Sequence, residues 1–178
     1  MTDAPCGVLS KPNIVLIGMP GAGKSTVGVI LAKEFCLSFV DTDILIQTGE
    51  GKPIQEIIDS QGLESFLALE ERYVTGLAAH GAVIAPGGSV VLSPLCMDAL
   101  HRHGIVVFLN APLNLIASRI DEYARGIVKK PGFTLEDVWH EREPLYRSAA
   151  DFIIACGSLS QTEIAARITA ELRSRWCA

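Results

Sequence analysis

One eight-residue segment near the start of the chain constrains the possible folds more than any other feature. Residues 18–25, Gly-Met-Pro-Gly-Ala-Gly-Lys-Ser, fit the pattern G-x-x-x-x-G-K-[ST]. The apolar run before this segment, Asn13 to Ile17, is typical of a buried parallel strand. The apolar residues after it, from Val27 to Phe35, recur at the spacing of one helical face. The sequence therefore predicts a strand, a glycine-rich loop and a helix in direct succession.

This loop has the chemistry of a phosphate-binding site. Its glycines let backbone N–H groups point at phosphate oxygens, and the helix N-terminus adds the positive end of its dipole. The ammonium group of Lys24 can reach the β- and γ-phosphates of a nucleotide, and the hydroxyl of Ser25 can ligate Mg²⁺. The alternative is a glycine turn that joins a strand to a helix and binds nothing. On the first interpretation the cofactors are ATP and Mg²⁺, and the nucleotide-binding residues are Gly21, Ala22, Gly23, Lys24, Ser25 and Thr26.

Length and composition limit the kinds of partner. The 178 residues favour a single domain with one sizeable core, and the net charge of −5 argues against a nucleic-acid-binding surface. The sequence has neither an apolar run as long as a membrane span nor the pattern of a signal peptide. The five cysteines are scattered, without a C-x-x-C pair, which favours reduced thiols. We therefore expect a cytoplasmic monomer that acts on a small molecule and binds neither nucleic acid nor membrane.

Strand-like apolar runs alternate with helical stretches along the chain. Runs typical of buried strands lie at residues 13–17, 37–40, 82–85, 105–109 and 152–155, and a short extended piece is predicted at 90–92. Helical spacing extends over residues 26–35, 53–61, 63–79, 94–102 and 112–121. Two further helices follow the capping patterns Thr134-x-x-Asp137 and Ser160-x-x-Glu163. This alternation predicts an α/β, three-layer P-loop NTPase-type fold, with a central parallel sheet and helices on both faces.

Three features meet at one edge of the predicted sheet, because ligands of such folds bind beyond the carboxyl ends of the strands. They are the glycine-rich loop, the pair Asp41 and Asp43 after the second strand, and Gly87-Gly88 after the third. One carboxylate can hold Mg²⁺ while the other orients or deprotonates a substrate hydroxyl. Alternatively, the pair caps the helix beginning at Ile44, a role that Asp43 could fill alone. The two glycines allow a ligand to approach the backbone closely, although a plain turn explains them nearly as well.

Taken together, these motifs resemble the shikimate kinase family of small P-loop kinases. The resemblance includes the glycine-rich loop, the D-T-D after the second strand, the segment 53–66 and the glycine turn after the third strand. It continues through an arginine-bearing lid to the R-x-P-L-Y of residues 142–146, and so extends through nearly the whole chain. It implies a single kinase domain over residues 1–178, with an acceptor-binding region at about 43–76 and a mobile lid at about 121–133.

The resemblance also implies roles for individual residues in transfer of the γ-phosphoryl group of ATP to a hydroxyl of shikimate or a related compound. The catalytic residues would be Lys24, Asp43 and Arg125, with Arg125 stabilising charge on the transferred group. Arg119 would pack on adenine and join the nucleotide-binding residues. The substrate would contact Asp43, Glu70, Gly87, Gly88 and Arg142, and the metal would be held by Ser25 and Asp41. For Arg119 and Arg125 the alternative is a solvated basic surface.

Within the substrate site, the resemblance assigns the substrate carboxylate to Arg142 and the orientation of the binding groups to Glu70. The chain departs from the family pattern at Leu67, where the family has a second arginine that helps to hold this carboxylate. Loss of such a charge-assisted contact costs about 1.5–3 kcal/mol of binding free energy. Arg72 lies on a different helical face and is a poor replacement.

Two further departures affect the same side of the site. The turn after the third strand is Gly-Gly-Ser rather than three glycines, so Ser89 adds a side chain near the acceptor pocket. The lid has Arg-Gly-Ile-Val at 125–128 where the family has Arg-Pro-Leu-Leu. The phosphate-binding residues are retained and the acceptor residues are altered, which predicts phosphoryl transfer to an acceptor that the sequence does not define.

Three alternatives to phosphorylation of shikimate differ in how well these residues support them. A kinase with a different hydroxy acceptor is favoured by Leu67. A nucleotide-binding protein without turnover would also combine an intact loop with an altered acceptor pocket, although the retained Lys24 and Asp43 argue against it. A nucleoside monophosphate kinase lacks support, because residues 48–70 contain no arginine that could bind a second phosphate group.

Overall fold

A computed structural model of the chain describes residues 13–123 and 127–176. Its strands are β1 (Asn13–Ile17), β2 (Ser38–Asp41), β3 (Ala82–Ala85), β4 (Gly104–Asn110) and β5 (Phe152–Ala155). Its helices are α1 (Lys24–Phe35), α2 (Thr42–Glu50), α3 (Ile54–Gln61), α4 (Leu63–Thr75), α5 (Pro94–His103), α6 (Leu113–Tyr123), α7 (Leu135–Ala149) and α8 (Gln161–Trp176). A 3-10 helix (Val90–Leu92) lies between β3 and α5. Among the described residues, no helix has the length and apolarity that crossing a bilayer requires.

The strands form one parallel sheet in the order β2-β3-β1-β4-β5. β1 lies in the centre, where Ile14 is opposite Val83 of β3 on one side and Ile105 of β4 on the other. β2 pairs with β3 as far as Asp41, which is opposite Ala85. Because the strands are parallel, the segments after β1, β2 and β3 leave the sheet at the same edge. The predicted parallel α/β architecture is confirmed.

The buried apolar side chains form two separate clusters. The larger cluster contains the sheet and the helices that pack on it, and β1 is buried along its whole length. The smaller cluster comprises Ile46, Ile57 and Phe66 from α2, α3 and α4, with Leu67 and Val128 packed against it. The second cluster thus belongs to the region for which the sequence predicts acceptor binding.

Both predicted capping patterns begin helices in the structure. At α7, the Asp137 N–H donates to the Thr134 hydroxyl at 3.1 Å, and the Thr134 N–H donates to the Asp137 carboxylate at 2.8 Å. At α8, the Ser160 N–H donates to the Glu163 carboxylate at 2.8 Å. These reciprocal bonds satisfy N–H groups that have no partner inside a helix.

Two sequence-based expectations about local structure are wrong. The piece predicted as extended at 90–92 is the 3-10 helix, in which the Leu92 N–H donates to the Ser89 carbonyl at 2.9 Å. Residues 76–79, predicted as the end of α4, are not helical, because the helix stops where Gly76 caps the carbonyl of Arg72. Short apolar stretches have no periodicity long enough to distinguish a strand from one helical turn.

Candidate active site

The glycine-rich loop holds its lysine within its own backbone. The Nζ of Lys24 donates to the carbonyl oxygens of Gly18 at 2.8 Å and Met19 at 3.1 Å. Burial of this ammonium group lowers its pKa to about 8, although the carboxylates of Asp43 and Asp41 act in the opposite direction. The loop is therefore compact, and its cation lies at the carboxyl edge of the sheet, beside two acidic residues.

Ser25 and Asp41 are in direct contact. The Ser25 hydroxyl donates to Oδ2 of Asp41 at 2.7 Å, while Oδ1 of Asp41 accepts the N–H groups of Asp43 at 3.0 Å and Ile44 at 3.4 Å. The helix cap is thus Asp41 alone, and helix α2 starts at Thr42 rather than at Ile44. The expectation that Asp43 could provide the cap is wrong, because Asp43 already lies inside the first helical turn.

Two adjacent side-chain oxygens suit a hard cation such as Mg²⁺, which takes few protein ligands and completes its shell with water and phosphate oxygens. Ser25 and Asp41 provide such a pair. In the described ranges, no group of three or more His, Cys, Asp or Glu side chains is placed to hold a metal without such help. The donor set therefore fits a nucleotide-bound metal and not an all-protein metal centre.

The glycine turn after β3 lies against the acidic side chains. A Cβ atom at Gly87 would overlap with Oε1 of Glu70 and would come within 2.8 Å of Oδ1 of Asp43. A Cβ atom at Gly88 would lie 2.7 Å from Cδ of Pro20 in the glycine-rich loop. The two glycines are thus required by close approach, and the interpretation as a plain turn is insufficient.

A buried arginine and a buried glutamate face this turn. Arg142 is 1% exposed and Glu70 is 2% exposed. One Nη2–H of Arg142 donates to the carbonyl of Val128, while its Nε and Nη1 atoms are buried and have no partner among the described residues. Oε1 of Glu70 is likewise buried and without a partner there. Buried donors and acceptors of this kind are expensive unless a ligand pairs with them.

The surroundings of Glu70 make its carboxyl a weak acid. Burial is the largest cause and, together with the nearby Asp43 carboxylate, raises the pKa of Glu70 to about 7. The Ser89 hydroxyl, the Arg142 guanidinium and the Lys24 ammonium act against this rise. The candidate site therefore combines two cations and several carboxyl groups within electrostatic range of one another.

Leu67 lies where the family resemblance places an arginine. It is half-buried and packs against the smaller cluster together with Val128, the residue whose carbonyl accepts from Arg142. Leu67 thus contributes to the smaller apolar cluster. The sequence alone did not define the orientation of Leu67.

Of the two other candidate arginines, Arg119 lies within the described residues and Arg125 does not. One Nη1–H of Arg119 donates to the carbonyl of Gly21 in the glycine-rich loop at 3.0 Å, which places its guanidinium beside that loop. Arg125 lies outside the described residues, as does part of the predicted lid. Residues 127–130 have no regular secondary structure.

Sequence reasoning missed three contacts that shape the site. The Tyr146 hydroxyl, on α7 one turn after Arg142, donates to the carbonyl of Gly88 at 2.5 Å, and burial raises the pKa of this tyrosine. The Thr42 hydroxyl accepts the Gly87 N–H at 3.3 Å. The side chain of Gln161 lies so close to Gly23 that a Cβ atom there would overlap with it. Thr42 is the middle residue of D-T-D and Tyr146 ends R-x-P-L-Y, so the motifs contained both without indicating their partners.

A glycine-rich loop at the carboxyl edge of a parallel sheet, with carboxylates and a buried arginine beside it, defines the class of P-loop kinases. A family model described as shikimate kinase matches residues 20–173. The chain belongs to the shikimate kinase family, whose members are phosphotransferases with a hydroxyl acceptor.

Individual relatives and a solved structure agree with this assignment. A shikimate kinase of Clostridium botulinum (strain Eklund 17B / Type B) is 37% identical over 149 residues, which are 83% of this chain and 90% of that protein. Shikimate kinase 2 of Enterobacter sp. (strain 638) is 34% identical over 164 residues, covering 88% of this chain and 94% of the relative. The structure of shikimate kinase from Acinetobacter baumannii in complex with shikimate has a TM-score of 0.86 at 30% identity, over 93% of this chain and 94% of that one.

Proposed function

We propose that this protein transfers the γ-phosphoryl group of ATP to a hydroxyl group of shikimate. The observation that carries the proposal is Arg142, a buried guanidinium with two nitrogen atoms left without partners beside Asp43 and the glycine-rich loop. Such a fork suits a carboxylate, which is the charged group of shikimate. The Acinetobacter relative binds shikimate on the same fold, which supports this choice of acceptor.

On this proposal the loop binds the phosphates and the carboxyl edge aligns the acceptor. The N–H groups of residues 21–26 surround the phosphates, and Lys24 exchanges its contacts with Gly18 and Met19 for phosphate oxygens. Ser25 and Asp41 hold Mg²⁺, which offsets the negative charge of the β- and γ-phosphates. Arg119 bonds to the carbonyl of Gly21 in this loop, which supports the role in adenine packing proposed for it.

The transfer itself needs a positioned hydroxyl and little other chemistry. The acceptor oxygen bonds to the γ-phosphorus, the bond from that phosphorus to the β–γ bridging oxygen breaks, and ADP leaves. Asp43 accepts the hydroxyl proton or orients the hydroxyl for attack. Gly87 and Gly88 allow the acceptor to approach the backbone, Glu70 orients the binding groups, and Arg125 of the lid stabilises charge on the transferred group.

A second acceptor is favoured by one specific observation. Leu67 stands at the position where the family resemblance has an arginine and packs with Val128 on the smaller apolar cluster, which leaves Arg142 as the arginine proposed to hold the carboxylate. A hydroxy acid with an apolar group beside its carboxylate would pack against Leu67 and Val128 better than shikimate does. This candidate keeps the same phosphoryl transfer and changes only the acceptor.

The test is an ADP-release assay with Mg-ATP and titrated shikimate, applied to the natural protein and to Leu67→Arg. We expect turnover by the natural protein, and a lower KM in Leu67→Arg because a second guanidinium adds about 1.5–3 kcal/mol of carboxylate binding. Arg72→Ala is the matched control, since Arg72 is exposed and pairs with Glu50 outside the site. Turnover only in Leu67→Arg would assign the natural protein to a different acceptor. Nucleotide binding without turnover in either protein would contradict the kinase proposal for shikimate.

Asp43→Asn separates the chemical step from binding. We expect kcat to fall by about 10²- to 10⁴-fold, because the amide cannot accept the hydroxyl proton. The KM for ATP should stay close to its natural value, because the Ser25 hydroxyl on the metal side of the loop bonds to Asp41. An unchanged kcat would remove Asp43 from the catalytic residues.

A further inference from the structure

The glycine turn after β3 is held at both of its ends by buried side chains. The Gly87 N–H donates to the Thr42 hydroxyl at 3.3 Å, and the Tyr146 hydroxyl donates to the Gly88 carbonyl at 2.5 Å. Thr42 and Tyr146 are both buried, so each bond joins the turn to the interior of the protein. Breaking either bond would leave a polar group inside the protein without its partner, which costs free energy.

The two side chains that hold the turn are neighbours of residues assigned to the acceptor. Thr42 directly precedes Asp43 at the start of α2, and Tyr146 follows Arg142 by one turn of α7. The bonds to the turn connect positions 45 and 58 residues apart in the chain. The turn therefore links the helix that carries Asp43 to the helix that carries Arg142.

The turn also has little room to move. A Cβ atom at Gly87 would lie 2.8 Å from Oδ1 of Asp43, and one at Gly88 would lie 2.7 Å from Cδ of Pro20. The ring of Tyr146 stacks on Phe108 of β4, with 5.2 Å between the ring centroids, so the sheet supports the tyrosine that holds the turn. Close packing of this kind transmits a displacement instead of absorbing it.

We propose that Thr42 and Tyr146 are positioning residues, which fix the glycine turn and thereby set the separation between Asp43 and Arg142. An acceptor held at its hydroxyl and at its carboxylate reacts well only if these two side chains lie as far apart as the molecule requires. Asp43 and Arg142 lie on different helices, and the turn is bonded next to both of them. The identity of the acceptor rests on the proposed function, whereas the geometry does not.

The first test needs no acceptor and consists of crystal structures of the natural protein, Thr42→Val, Tyr146→Phe and the double variant. Both substitutions remove one hydroxyl and leave a side chain of similar shape. We expect the turn to shift in each single variant, because the Gly87 N–H or the Gly88 carbonyl loses its partner. The separation between the Asp43 carboxyl and the Arg142 guanidinium should change most in the double variant. The natural separation in the double variant would overturn the proposal.

The second test is an ADP-release assay with shikimate. We expect Tyr146→Phe to raise the KM for shikimate about tenfold with a smaller change in kcat, because the turn loses a hydrogen bond on the side of Arg142. We expect Thr42→Val to lower kcat about 10- to 100-fold, since a displaced turn shifts the acceptor hydroxyl relative to Asp43. The KM for ATP should stay close to its natural value in both variants. Thr42→Ser keeps a hydroxyl and should restore kcat.

The same pattern of kcat and KM in both variants would mean that the two residues only stabilise the fold, and would overturn the proposal. Failure of Thr42→Ser to restore kcat would also contradict it, because the hydroxyl and not the methyl group accepts the Gly87 N–H.

Two matched controls remove comparable hydroxyl groups elsewhere. Thr169→Val removes a buried threonine hydroxyl that bonds to Glu34, and Tyr73→Phe removes a tyrosine hydroxyl that bonds to Glu50. Neither should change kcat or the KM for shikimate, and an equal rise of this KM in Tyr73→Phe and Tyr146→Phe would contradict a role specific to the turn. Absence of shikimate turnover in every variant would reject the proposed acceptor, whereas the crystal structures would still decide the positioning role.

Discussion

At the scale of single residues, the candidate site depends on positions where only one kind of side chain fits. At Gly87 and Gly88 any side chain would overlap with Glu70 or Pro20. Arg142 is buried, and two of its guanidinium nitrogen atoms have no hydrogen-bond partner among the described residues. Residues of this kind are not chosen for stability, because a buried unpaired polar group costs free energy. Their cost is offset when a ligand binds, which is typical of functional sites.

The tightest of these positions is Gly87. In Gly87→Ala the new Cβ atom would overlap with Glu70 and press on Asp43, so we expect kcat/KM for the acceptor to fall at least about tenfold. ATP binding should change little, because Lys24 and Ser25 are not displaced. Steady-state kinetics and calorimetry with ATP check the two parts. Gly76→Ala, at negative φ on the end of α4, is the control. Equal kcat/KM in the two variants would contradict the prediction.

The raised pKa of Glu70 predicts a pH dependence of stability. Its carboxyl ionises near 4.5 in the unfolded chain and near 7 in the folded one, so folding retains a proton between these values. The contribution of this group to stability is therefore complete below pH 4.5 and is lost as the pH rises to 7. Glu70→Gln cannot ionise, so its stability relative to the natural protein should increase over this range by up to about 3 kcal/mol.

Urea unfolding at pH 5, 6, 7 and 8 measures this difference. Glu64→Gln, an exposed position on the same helix, is the control. A difference between Glu70→Gln and the natural protein that stays constant with pH would show that Glu70 titrates alike in the folded and unfolded chain. The same pH trend at position 64 would also contradict the assignment.

At the scale of elements, α7 links the acceptor side of the site to the sheet. It carries Arg142 and Tyr146 one turn apart, and Tyr146 donates to Gly88 in the turn after β3 while stacking on Phe108 of β4. The helix begins at the capping box of Thr134 and Asp137. The capping box thus sets the start of α7, and the hydrogen bond of Tyr146 holds this helix against the turn after β3.

Removal of the cap tests the local contribution. We expect Thr134→Ala to lower the free energy of unfolding by about 1 kcal/mol, because N–H groups of the first turn lose their acceptor. For a chain of this length the melting temperature should fall by about 2–4 °C. Differential scanning calorimetry measures both values. Thr75→Ala is the matched control, since that exposed hydroxyl only bonds back to carbonyls of its own helix. Equal losses at the two positions would exclude a capping effect.

At the scale of the whole molecule, the division of the core into two clusters predicts unequal stability. Ile46, Ile57 and Phe66 form a small cluster beside the acceptor side, whereas β1 and β4 lie at the centre of the large one. A region with few buried apolar contacts opens at lower free energy than the rest of the domain. Helices α2 and α3 are therefore the part of the described chain best suited to rearrange when an acceptor binds.

Native-state hydrogen exchange measures this difference. We expect the amides of α2 and α3 to exchange through a partial opening, while those of β1 and β4 exchange only on global unfolding. Saturating nucleotide and acceptor should slow exchange in α2 and α3, because ligands stabilise the state that binds them. The same opening free energy in both regions would show that the domain unfolds as one unit.

Local patterns in the sequence were sufficient for the fold and for the phosphate-binding loop. The strands of four to seven residues, the helices with capping patterns at Thr134 and Ser160, and the loop at 18–25 depend on neighbouring residues. The spacing of those residues is visible in the chain. Prediction failed at 76–79, which was expected to be helical and is not, and at 90–92, which was expected to be extended and forms a 3-10 helix. In both places the outcome depends on capping contacts and not on periodicity. The motif D-T-D indicated the right edge of the sheet but not that Asp41, rather than Asp43, caps α2.

The arrangement of the acceptor side was decided by tertiary structure alone. The Tyr146 hydroxyl meets a carbonyl 58 positions away, and whether Glu70 and Arg142 are buried depends on how α4 and α7 pack on the turn after β3. Such contacts join residues far apart in the chain, so no local pattern encodes their distances. The sequence by itself therefore determined that the chain is a P-loop kinase of the shikimate kinase family. The structure decided that Leu67 packs on the smaller apolar cluster and that Arg142 keeps unpaired donors among the described residues.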